Sequence, residues 1–99
     1  MNIEEIIRII NERKQGVKKY SSKEINQKYE MNYDEYVLGC FLNHIPSENL
    51  YETYIYIINN KKTTAPILYS SSNDFNYIYN EFNRLKEIVA KNDLNSLID

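Results

Sequence analysis

The stretch Ser21–Ile45, SSKEINQKYEMNYDEYVLGCFLNHI, constrains the chain most. Ser21 is a good helix N-cap, and Glu24 follows at the spacing at which hydroxyl and carboxylate satisfy each other's orphan amides. Ile25 and Tyr29, four residues apart, share one helical face. Glu30-Met31-Asn32 interrupts that pattern. Asn32 is placed to cap a second helix, again with a glutamate, Glu35, three residues on. Val37, Leu38, Phe41, Leu42 and Ile45 then recur at a helical period. Pro46 cannot continue the helix, because it lacks an N–H and disfavours helical geometry at the residue before it. The spacing therefore predicts two short helices, over 21–29 and 32–45, joined by a tight turn.

The remaining segments fall on either side of this pair. Asn2 to Lys14 reads as a first helix, with Asn2 and Glu5 as a cap pair and Ile3, Ile6, Ile7 and Ile10 as its apolar stripe. Gly16 ends it, and Val17-Lys18-Lys19-Tyr20 alternates like a short extended piece. Pro46-Ser47-Glu48-Asn49 is a polar turn. Leu50–Ile58, rich in tyrosine and isoleucine, carries the strongest strand signal. Asn59-Asn60-Lys61-Lys62 is a turn, and Thr63–Tyr69 is the return strand. Pro66 cannot donate to a ladder, so that strand is expected at an edge or with a bulge. A last helix is expected over Asp74–Lys91, where Phe75, Ile78, Phe82, Leu85 and Val89 form a heptad-like seam. The seam suits packing on the first helix or a two-fold interface. Asp93–Asp99 is a weak tail with room for one more turn.

The segment GVKKYSSKEINQKY resembles, in pattern, the first-strand and second-helix region of winged helix-turn-helix proteins. The order helix, short strand, helix, helix, hairpin, helix is similar to theirs over nearly the whole chain. The resemblance implies an α+β fold in a single domain, residues 1–99, with the hairpin as a wing and residues 73–91 as a C-terminal dimerisation helix. It also implies that the helix over 32–45 enters a major groove of double-stranded DNA. Val37, Leu38, Phe41 and Ile45 would face inward. Asn32, Tyr36, Gly39 and Asn43 would face out, with Asn32 and Asn43 able to read adenine, Tyr36 able to touch phosphate or base, and Gly39 permitting close approach. Lys18, Lys19, Lys23 and Lys28 around the second helix, and Lys61 and Lys62 at the wing tip, would contact phosphates. The departure from the family is that the helix over 32–45 holds no Arg or Lys and begins with Asp34 and Glu35. A homodimer through Phe75, Ile78, Phe82, Leu85 and Val89 would place two half-sites about one helical turn apart.

Ninety-nine residues fit one small domain, and 42% apolar with 26% charged residues is ordinary for a soluble chain. The net charge of −2 argues against a strongly basic nucleic-acid binder, yet the positive charge clusters between Arg13 and Lys28. Cys40 is the single cysteine, which fits a reducing, cytoplasmic setting. No leader pattern or membrane-length apolar run is visible. Cys40 and His44 would lie four apart on a helix, but no orienting acid or glycine-rich loop accompanies them, so no enzyme, metal or cofactor is expected. The expected function is a transcriptional regulator or an adaptor on a replicon or mobile element. The rival is a small protein-binding inhibitor, such as a phage counter-defence or toxin-immunity protein. The ten tyrosines would then serve as interface anchors.

Overall fold

A computed structural model describes residues 3–13, 25–59 and 66–97. Helix α1 covers Ile3–Arg13. Four strands follow: β1 Ile25–Tyr33, β2 Tyr36–Ile45, β3 Leu50–Asn59 and β4 Ile67–Ser72. Helix α2, Phe75–Lys91, closes the chain with a 3-10 turn at Leu94–Leu97. The strands pair antiparallel in the order β1-β2-β3-β4, a meander in which each strand lies beside its neighbours in sequence.

This overturns the winged helix-turn-helix expectation. That fold needs about three helices, whereas here one main helix packs on a four-stranded sheet. The two predicted helices are instead strands joined by the turn Asp34–Glu35, with Tyr33 opposite Tyr36. The physical reason lies in β2. Leu38, Cys40 and Leu42 face α2, while Phe41 and Asn43 point to the opposite face, and all five are buried. A strand buried on both sides shows no alternation, so its apolar run also satisfies a helical wheel. The short strand expected over 17–20 and the Ser21–Glu24 cap lie outside the described residues.

The strongest strand is where the sequence placed it. β2 and β3 pair without a register shift from Tyr36↔Asn59 to Ile45↔Leu50. Their connection is a 3-10 turn, Pro46–Glu48, with Pro46 at its start and Asn49 in the left-handed region at φ 50°. Proline tolerates a first helical position and asparagine tolerates positive φ. Among the described residues β4 is an edge strand; it begins directly after Pro66 and has a register shift opposite Thr53/Tyr54. The return strand was expected over Thr63–Tyr69, at an edge or with a bulge; it starts instead after Pro66 and runs on through Ser72, while residues 63–65 lie outside the described residues. The tip with Lys61 and Lys62 lies outside the described residues.

Helix α2 starts where Asp74 caps it, the Asp74 carboxylate accepting from the Tyr77 amide at 3.3 Å. It stops at Asn92, which adopts φ 54° and donates its N–H back to the Ile88 and Val89 carbonyls. Ile78, Phe82, Leu85, Ile88 and Val89 pack on Leu38, Cys40, Leu42, Ile55 and Ile57, with Leu94 from the last turn and Ile6 from α1 completing this core. The expected dimer seam is therefore occupied inside the chain: Ile78, Phe82, Leu85 and Val89 are buried against the chain's own sheet, and only Phe75 is exposed. Two tyrosines tie the β1–β2 turn to the end of α2. Tyr33 donates its hydroxyl proton to the Val89 carbonyl, and Tyr36 donates to Asn92 Oδ1. Among the described residues, no helix is long and apolar enough to cross a membrane.

Gly39 has a specific steric reason. Glu30, Gly39 and Tyr56 stand side by side across three strands. The Tyr56 ring lies over Gly39 and reaches Glu30, to which its hydroxyl donates. A Cβ on residue 39 would sit 2.2 Å from Tyr56 Cζ. Gly39→Ala should displace the ring, break its bond to Glu30 and lower stability by about 1–3 kcal/mol, read by chemical denaturation. Tyr33→Phe should cost about 1 kcal/mol by the same measurement, since it removes one acceptor-satisfying hydroxyl at a helix end.

Candidate functional site

Two places outside the main core combine polar or aromatic groups. The first is a buried polar cluster on the sheet face away from α2. Asn43 and Glu52 are cross-strand partners on β2 and β3, at 0% and 1% exposure. Glu52 Oε1 accepts from Asn43 Nδ2 at 3.3 Å and from the Tyr54 hydroxyl at 3.0 Å. Glu52 Oε2 and Asn43 Oδ1 have no hydrogen-bond partner among the described residues. Tyr54 stacks on Phe41 with centroids 4.9 Å apart, and Phe41, Tyr54, Tyr56 and Leu68 form a second apolar cluster beside these polar groups. Burial raises the Tyr54 phenol well above its ordinary value, and the neighbouring Glu52 pushes the same way.

The second place is a row of rings at the end of the sheet nearest the start of α2. His44 and Tyr51 face each other across β2 and β3 and stack with centroids 4.4 Å apart. Tyr51 meets Phe75 edge-on at 5.2 Å, and Phe75 meets Tyr79 at 5.6 Å. Phe75 and Tyr79 are four apart on α2 and so share a helix face. His44, Tyr51 and Tyr79 are half-buried, whereas Phe75 is 41% exposed. The row therefore offers apolar ring surface to the outside, most of all at Phe75.

Among the described residues, those expected to read DNA do not share one surface. Lys28 and Asn32 are exposed on the same face of β1. Tyr36 lies on the α2 side of β2 and is spent on Asn92, and burial raises its phenol above the ordinary value. Asn43 is fully buried with Glu52 and has no exposed edge to offer a base. Gly39 gives close approach to Tyr56, not to an outside partner. Lys18, Lys19, Lys23, Lys61 and Lys62 lie outside the described residues. Cys40 and His44 share a face of a strand, where four residues span about 13 Å, too far for direct contact. Burial lifts the Cys40 thiol from its ordinary value to about 12, so it is a packed thiol and not a ready nucleophile. No group of three or more metal-ligating side chains occurs among the described residues.

Sequence reasoning missed both places. Neither Asn43–Glu52 nor His44–Tyr51 is close in sequence, and each pair exists only through the β2–β3 register. Placing β2 as a strand would have brought both into view. Comparison with protein-family models, curated proteins and solved structures returned no match to this chain.

Two expectations follow for the buried groups. Glu52→Gln replaces a buried carboxylate that leaves one oxygen unpartnered with an amide that can donate, so it should raise stability by about 1 kcal/mol or more in denaturant. Cys40 and Tyr54 both hold their protons to higher pH when folded than when unfolded. Above about pH 9 the unfolded chain releases those protons first, so stability should fall as pH rises from 9 toward 12. Thermal melts across that range check the sign, and Cys40 should resist alkylation at pH 8 until the chain is denatured.

Proposed function

We propose that this chain acts by gripping another protein, as a small inhibitor of the counter-defence or toxin-immunity kind, in a reducing compartment such as the cytoplasm. The observation that carries this reading is the ring row His44–Tyr51–Phe75–Tyr79, anchored by two strands and a capped helix and opening outward at Phe75. Aromatic side chains on rigid elements supply large contact area at low entropic cost, and such residues dominate binding energy where they fill a partner's pocket. The half-buried rings fix the exposed one, so little ordering remains to be done on binding. The sequence-based alternative, duplex DNA binding, placed a helix over 32–45 in the major groove and Lys61 and Lys62 on phosphates; Tyr36–Ile45 is strand, and the two lysines lie outside the described residues.

The test uses the folded chain in two assays. Affinity capture followed by binding measurements on the purified partner should show affinity falling about tenfold or more in Phe75→Ser/Tyr79→Ser, with the melting profile still cooperative. Mixed duplex DNA should give no shift even at low salt. Salt-sensitive duplex binding, lost in Lys61→Glu/Lys62→Glu, would instead restore the DNA reading, and an unaltered protein affinity in the aromatic variant would overturn the ring row as the gripping surface.

A further inference from the structure

Among the described residues the sheet has two outer edges, and they differ. β4 is six residues long, follows Pro66 directly, is interrupted by a register shift and ends in three serines. Short length, proline and bulging are the usual devices that keep an edge from pairing. β1 is nine residues long and contains no proline. Among the described residues no strand pairs with its outer edge. Its one irregularity lies between Ile25 and Gln27, at the end of the strand.

We propose that β1 pairs antiparallel with β1 of a second copy, joining two four-stranded sheets into one of eight. The sequence of the strand selects the register. In an antiparallel self-pair each residue meets the one equally far from the two-fold axis. With the axis at Tyr29, the middle of Ile25–Tyr33, the two strands overlap along their whole length. Lys28 then faces Glu30 of the second copy, and Glu30 faces Lys28, giving two opposite-charge pairs on one face. Gln27 faces Met31 on the other. Shifting the axis by one residue sets Lys28 against Lys28 or Glu30 against Glu30. Directly opposed like charges destabilise a sheet and opposed unlike charges support it.

The side chains are already arranged for this. Lys28 and Glu30 are exposed and lie on one face of β1, Nζ 3.6 Å from Oε2. Glu30 accepts from the Tyr56 hydroxyl, and Lys28 Nζ lies 5.7 Å from the centre of the Tyr56 ring. Tyr56 is itself held over Gly39. Two charged side chains that are fixed before pairing lose less freedom on pairing. On the α2 side, Tyr29, Met31 and Tyr33 are half-buried against the main core, and a second copy would extend that apolar layer past the edge.

Sedimentation of the wild-type chain at tens of micromolar should give a dimer, and amide exchange in Gln27–Met31 should slow as protein concentration rises. Lys28→Glu and Glu30→Lys should each raise the dimer dissociation constant about tenfold or more, because each puts like charges opposite one another. Mixed in equal amounts, the two variants should form a heterodimer, since glutamates at 28 and 30 of one chain then meet lysines at 30 and 28 of the other. Circular dichroism on each variant checks that the sheet is intact. A wild-type monomer at about 100 µM, with β1 exchange independent of concentration, overturns the proposal. So does a dimer indifferent to Lys28→Glu, or a pair of folded monomeric variants that fails to associate when mixed. The wild-type measurements stand even if Glu30→Lys, which loses the Tyr56 bond, does not fold.

Discussion

The structure depends on the unbroken pairing of β2 with β3. Ten residues of each strand run opposite one another without a slip, and both faces of the pair are buried along their central six residues. A shift of one residue would turn every side chain to the other face. It would move Leu38, Cys40 and Leu42 away from α2, and would separate Asn43 from Glu52 and His44 from Tyr51. The main core, the buried polar cluster and the row of rings are thus three consequences of one register.

That register is held from both ends. At one end Pro46 and the left-handed Asn49 make a short connection that leaves Ile45 opposite Leu50. At the other, Tyr33 and Tyr36 flank the β1–β2 turn and bond to the last turn of α2 and its cap. The helix is positioned by its own caps and by its seam over the sheet, so sheet and helix fix each other. Glu52 contributes differently. Its side chain is buried with one oxygen unpartnered among the described residues, an arrangement that opposes stability yet disfavours any register that leaves it without Asn43 and Tyr54.

Much of this layout was legible in the residues, and what was not has a definite cause. α2 was readable to within a residue because Asp74 is a strong cap, Asn92 tolerates the left-handed region, and the seam spacing admits one inward face. α1, the Pro46 turn and β3 were readable for similar local reasons, whereas the return strand β4 lies further along the chain than the Thr63–Tyr69 expected. β1 and β2 were not. Val37, Leu38, Phe41, Leu42 and Ile45 satisfy a helical period only because β2 has no solvent-facing side, and the Asn32–Glu35 spacing that imitates a cap encloses a turn. Gly39 in mid-segment was the available warning: it is costly inside a helix but fitting where a neighbouring ring crosses a strand. The candidate site residues suffered from the same misassignment, since a helical wheel turned Asn43 outward and the sheet turns it in.

The meander also has a consequence for the order in which the chain can be completed. Every strand pairs with a neighbour in sequence, so the hairpins can close early, by short loops. Most of the cover for one whole face of the sheet arrives only with Ile78, Phe82, Leu85, Ile88, Val89 and Leu94. During synthesis, Leu38, Leu42, Ile55 and Ile57 therefore form a sheet face before most of the residues that shield it have been made. A nascent chain paused between β4 and α2 would present that greasy surface to its surroundings, which makes this interval the point of greatest exposure to aggregation and to chaperones.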